Sequence, residues 1–361
     1  MSEGRRFQAA EVILPCNELS PTLRFFAELG FRLDAIFPAD DPRVAVLSGH
    51  GLRLRLQPGR GDPGQLRLLY RELPADRADG PLIAPNGTRI ELTEADPPLV
   101  LPLLRPTFTL TRAGIDGEWG EGRAGMLYRD LIPDRQGGCF IASHIRIPNG
   151  GPVPDSVHYH RVQFQMIYCA RGWVRVVYED QGPSFVLQQG DCVLQPPQIR
   201  HRVLECSDGL EVVEIGGPAD HETHFDHELP LPQATERSDR RYSGQEFVRH
   251  QAASARWEAP ANEHYEARDL GIAAATRGLV SARVLRLRRT PAAPLESSAL
   301  ERKHASSSFW FVLRGSLSLV VAGQEHRMTA ADACVIPPAQ PLTLHTEDAE
   351  LEFLEVRLPS P

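Results

Sequence analysis

Short runs in which apolar and polar residues alternate recur along most of the chain, and they predict strands rather than long helices. Trp173–Tyr178 (WVRVVY) and Ser316–Val321 (SLSLVV) are two such runs, rich in β-branched residues and each preceded by a glycine. Gly-Asp and Pro-Pro pairs punctuate the spaces between them, as turns require. Residues 8–94 read differently. A short strand (EVILPC) leads into Ser20-Pro21, where proline suits the first turn of a helix. Leu23, Phe26 and Leu29 then share one side, and Gly30 supplies the stop. FRLDAIF, RVAVLSG and LRLRLQ follow as strands, giving a βαβββ order.

The strand-rich part is a repeat. Arg129-Asp130-Leu131 aligns with Arg268-Asp269-Leu270, Gly172 with Gly315, Asp191 with Asp332, and LEVVEI from Leu210 with LEFLEV from Leu351. These matches occur in the same order at nearly one offset, so the chain carries one module twice. Many short strands per module predict a small barrel or sandwich, and 29 glycines with 31 prolines fit the turns this demands. The expected organisation is an N-terminal α+β module over 1–115, a first barrel over 116–230, a polar linker over 231–262 and a second barrel over 263–361.

A net charge of −8 without a basic cluster leaves nucleic acid no electrostatic footprint. No apolar stretch reaches the length of a membrane helix, and the first residues lack the apolar core of a secretory leader. The six cysteines are scattered without a C-x-x-C pair. Reduced thiols and a cytoplasmic location are therefore expected.

The chemistry concentrates in the first copy. His158 and His160 sit two apart in HYH, so on a strand both point to one face, and a returning strand could bring His201 to the same place. Three imidazoles suit a divalent transition metal. The full pattern has Gln165 and Gly172 after the paired histidines, then Gly190, Pro196 and His201, and it resembles the two motifs of the cupin superfamily. That resemblance covers roughly 116–230 and, in degenerate form, 263–361, and it implies two double-stranded β-helix (jelly-roll) barrels in a mainly β chain. It also implies one divalent ion held by His158, His160, His201 and Gln165, iron(II) foremost, with Zn, Ni, Mn or Cu also possible.

Gln165 stands where the family's glutamate is usual. An amide is a neutral and weaker ligand, so the ion would keep its full charge and favour an anionic, chelating small molecule. This set resembles the three-histidine cupin dioxygenases. The expected function is accordingly a mononuclear iron(II) dioxygenase acting on an aromatic or enolisable anion. A non-redox lyase or isomerase and a non-catalytic binding protein are the alternatives. Tyr128, Arg146, Tyr168 and Arg175 are candidates to hold the substrate. His221, His224 and His227, lying among prolines, are expected in a solvated loop.

In the second copy the ligand positions become Glu301, Lys303, Ser308 and Leu342, with His304 and His345 off register. Lysine and leucine cannot replace imidazoles, so this copy is expected to be structural. The N-terminal βαβββ order, with RFFAELGF and PNGTRIEL, resembles half of a glyoxalase/bleomycin-resistance (vicinal oxygen chelate) domain. Half a domain implies a partner surface, hence a homodimer. That family's ligand places fall on Glu11 and Glu91, with Gln57 or His50 no better, and a second metal site here is not expected.

Overall fold

A computed structural model describes residues 8–72, 80–233, 236–258, 264–288, 295–296, 307–346 and 348–358. The chain divides into two compact units, Met1–Pro98 and Leu99–Pro361. Glu301, Lys303 and His304 lie outside the described residues.

The first unit has the expected strand–helix–three-strand order: Val12–Pro15, the helix Leu19–Glu28, then Arg32–Phe37, Val44–Gly49 and Leu52–Gln57. Val12–Pro15 pairs parallel with Leu52–Gln57, and the remaining pairs are antiparallel. Gly30 takes φ +87°, the left-handed geometry that lets the Phe31 N–H return to the Phe26 carbonyl and close the helix. A second small sheet pairs Gln65–Tyr70 with Arg89–Glu94. Phe26, Leu54, Leu56 and Ile90 form the core beneath both sheets. Glu11 is held by Arg53 and Arg55, and Glu91 by Arg67, so both carboxylates are neutralised by arginine.

The second unit begins earlier than the pattern implied. Thr109–Thr111, expected in the N-terminal module, pairs with Ala333–Ile336 of the second barrel. Parts of the expected linker are likewise built into the first barrel. Val248–His250 extends the sheet at Cys192–Gln195, Tyr242 packs in the barrel core, and Arg237 and Arg240 hold the buried Asp180. These segments correspond in the repeat, so each copy lends a leading strand to the other copy's sheet. Polarity misled the reading because an edge strand buries only one side.

Each barrel has two facing sheets. In the first, one sheet runs through Cys192–Gln195, Phe164–Arg171, Leu210–Gly217, Ile141–Ile147 and Leu127–Asp130. The other runs through Trp173–Tyr178, His201–Cys206, His158–His160 and Thr223–Phe225. Alternation along these strands divides the side chains. Phe164, Met166 and Tyr168 face the second barrel, in a shared apolar cluster with Phe309, Phe311 and Leu354. Ile167 and Cys169 face the barrel interior. Two corresponding arginines cross between the copies: Arg129 donates to the Ala331 carbonyl (2.6 Å) and Arg268 to the Gly190 carbonyl (3.1 Å). Among the described residues no helix is long and apolar enough to cross a membrane.

Candidate metal centre

His158 and His201 are directly opposed across antiparallel strands, and His160 follows two residues later on the same face. Their ring centroids lie 4.2 Å (His158–His201), 5.1 Å (His158–His160) and 5.3 Å (His160–His201) apart. One nitrogen from each lies within 4.8 Å of the others.

The surroundings fix how these rings are presented. His158 Nδ1–H donates to the Ser156 carbonyl (2.8 Å) and His201 Nδ1–H to the Ile199 carbonyl (3.0 Å). Because a carbonyl only accepts, Nε2 of each ring is left as a lone pair. His160 Nδ1 is hydrogen-bonded to the Thr223 hydroxyl (2.8 Å). His158 Nε2 is buried without a hydrogen-bond partner, a costly state for a protein atom with no further role. Orientation of each ligand ring by its other nitrogen is the usual support of a metal site. Asp155 braces the cluster: it accepts from the Ser156 and Val203 amides and pairs with Arg123.

Burial pushes all three imidazoles toward the neutral form, His160 down to about 2 and His201 well below its ordinary value. Neighbouring imidazoles add to this for His160 and His201, and Arg123 adds to it for all three. Neutral imidazole is the ligating form, so the donor set fits a divalent transition metal.

His160 and His201 open on a cavity of about 380 Å³. Its wall is mainly aliphatic, including Ile145, Ile167, Val176, Leu187 and Val212. Thr223–Phe225 closes one side as a strand paired with the histidine strand, and Thr223, Phe225 and His221 line the cavity. This corrects the expectation of a solvated loop for His221, which lines the cavity, and His224, which lies in the strand, whereas His227 is exposed in a bend as expected. His221 lies edge-on to His160 at 5.5 Å, whereas His224 stacks on Tyr159 at the surface and His227 on Phe225. Prolines flank the segment without preventing it from pairing.

Of the proposed substrate contacts, Tyr128 lines the cavity. The other three are placed elsewhere by strand parity. Arg146 lies over Trp119 and pairs with Glu211. Tyr168 is buried between the barrels and accepts from Arg268. Arg175 faces outward toward Glu205. A one-residue difference in register is enough to reverse a side chain.

Two polar groups in the cavity escaped the sequence reading. Glu214 lies on the inner face of Leu210–Gly217, and Gln195 on that of Cys192–Gln195. Glu214 is deeply enclosed, and such surface as it exposes faces the cavity. Burial raises its pKa, which His221, Gln165 and Arg123 partly offset. Gln165 is buried beside Glu214, although its Nε2 makes no hydrogen bond of ordinary geometry. The alternation L-x-V-x-E from Leu210 carried the signal, since it sets a carboxylate in line with two core residues.

The family model of the cupin domain matches residues 143–215 and 292–357. Among the described residues, these matches fall on strands of the first and second barrels, so the barrels are cupin-like in fold. The sequence matches none of the curated proteins. Among solved structures, an oxalate decarboxylase variant of Bacillus subtilis aligns with a TM-score of 0.50 at 13% identity, covering 73% of this chain and 79% of that one. Lactobacillus farciminis oxalate decarboxylase in its formate complex gives 0.49 at 14%, covering 74% and 88%. Protein Ylba of E. coli, of family DUF861, gives 0.49 at 10%, covering 71% and 93%. At such identities the likeness is one of fold.

Proposed function

We propose that the chain is a metal-dependent enzyme whose chemistry is confined to the first barrel, and specifically a mononuclear iron(II) dioxygenase acting on a small aromatic or enolisable molecule. The observation that carries this reading is the triad itself. Three imidazoles, two buried and one half-buried, share one focus, with the rings of His158 and His201 held so that Nε2 is free, beside a largely apolar cavity. His158, His160 and His201 would hold the ion. A bound ion would supply Lewis acidity, and iron(II) would add redox chemistry with dioxygen. Both oxygen atoms would enter the substrate across a cleaved C–C bond, so no external reductant is consumed. The aliphatic walls would orient the substrate body and exclude water, while Asp155, Thr223 and the Ser156 and Ile199 carbonyls keep the ligand rings in place.

Glu214 favours a second reading. A carboxyl whose pKa is raised by burial can carry a proton between substrate atoms, which suits a non-redox lyase or isomerase at the same ion. Elemental analysis of wild type and His160→Ala tests the site. About one ion per chain, lost in the variant, supports it, and no metal in either protein after reconstitution overturns it. Oxygen uptake that depends on iron(II) selects the dioxygenase, and turnover without oxygen selects the second reading. We assign the N-terminal unit to homodimerisation, in keeping with its resemblance to half of a glyoxalase domain.

A further inference from the structure

The two copies differ at one buried carboxylate. Glu214 and Glu355 occupy the same place in the repeat, each in register with corresponding partners: Ser143 and Ile167 flank Glu214, whereas Arg283 and Trp310 flank Glu355. In the second barrel the carboxylate is saturated. Arg283 Nε lies 2.6 Å from it, Trp310 Nε1 donates at 3.2 Å, and Arg357 is 3.6 Å away. In the first barrel neither Ser143 nor Ile167 can supply a positive charge. The cation in the cavity wall, Arg123, is paired with Asp155. His221 and Gln165 offset the burial of Glu214 only in part, so a carboxyl in this aliphatic cavity remains costly, and the twin copy shows that the fold can neutralise this position. Gln195 adds a second such group. Its Nε2 donates to the Tyr178 hydroxyl (2.9 Å), and its Oε1 is buried without a partner. Both side chains line the cavity, on strands that flank Phe164–Arg171.

We propose that Glu214 and Gln195 form a polar subsite that accepts hydrogen bonds from the substrate. This rests on the assignment of the cavity as a substrate site and narrows the substrate to a largely apolar molecule bearing a hydroxyl or amino group. A hydroxyl satisfies either acceptor, whereas a ligand whose polar groups are all carboxylates sets charge against Glu214. The subsite therefore selects phenols, enols and amines over oxalate-like dianions.

The test uses the full chain, metal-free and zinc-loaded, with phenol, anisole and benzoate as probes in calorimetric titration. Phenol and anisole share a ring and differ in the donor hydrogen. In wild type, phenol should bind roughly tenfold more tightly than anisole, the scale of one hydrogen bond to a charged acceptor, and benzoate more weakly than either. Glu214→Leu should abolish the preference for phenol. Glu214→Gln, which keeps the shape, should lower that preference and raise benzoate affinity. Equal affinities for phenol and anisole in wild type, no phenol binding, or a preference unchanged in Glu214→Gln would each overturn the proposal. A phenol preference in protein that never takes up metal would sink the enzyme reading and leave the subsite standing. Metal uptake without the preference would do the reverse.

Discussion

The two barrels share strand order, register and the arginine that reaches across to the other copy, yet where the first opens on a cavity the second places large buried aromatic side chains. Ile167 and Val212, which line the cavity of the first, correspond to Trp310 and Phe353 in the second, whose rings pack 4.9 Å apart and are fully buried. Ser143 corresponds to Arg283, and that one exchange turns an isolated carboxyl into a buried ion pair. Gln165 becomes Ser308, and the place of His201 is taken by Leu342. The apolar cluster between the copies packs on the outer faces of the same strands, apart from the side chains that line the interior.

The sharpest break between the copies is metal binding. His160→Ala or His201→Ala should reduce metal from about one per chain to nearly none, whereas His345→Ala, on an exposed position of the second barrel, should leave it unchanged. Elemental analysis after exhaustive dialysis decides this, and loss on changing His345 would refute the assignment. Packing should show the reverse asymmetry. Trp310→Ala is expected to destabilise the chain by about 3–5 kcal/mol in denaturant unfolding, the usual cost of emptying a buried aromatic site. Ile167→Ala, which enlarges an existing cavity, should cost roughly half of that or less.

The paired carboxylates sharpen the comparison further. Arg283→Met strands Glu355, and its expected cost is about 3 kcal/mol. Glu214→Gln removes an isolated charge and should leave stability unchanged or raise it by up to about 1 kcal/mol, as exchanges at functional positions often do. A large loss on Glu214→Gln would show that this carboxylate supports the fold as its twin does.

The smallest effect is that of pH on the metal-free protein. The three histidines have depressed folded pKa values, so below about 6.5 the unfolded chain binds protons that the folded chain refuses. Stability from this source is complete above that pH and declines as pH falls toward about 2, the folded value of His160. Replacing His160 with glutamine should flatten the decline measured by chemical denaturation between pH 6.5 and 5, and an unchanged slope would argue against burial as the cause.

Period-two alternation, the two-copy repeat and the H-x-H spacing were local properties of the sequence, and they determined the barrels and the clustering of His158 and His160 on one face. A histidine pair two apart on a strand shares a face whatever its surroundings. The tertiary structure alone decided which residues lined the cavity. Whether Tyr168 or Ile167 faced inward depended on a register set by pairing across three strands, and one residue of difference separates the barrel interior from the interface between copies. It also decided that Tyr242 and Val248–His250 belonged with the first barrel and that His221 lined its cavity, because strand pairing joins distant segments through backbone groups that every residue carries. Glu214 lay between these cases: the repeat placed it opposite Glu355, but only the contacts of Arg283 and Trp310 with Glu355 revealed that its twin was left without them.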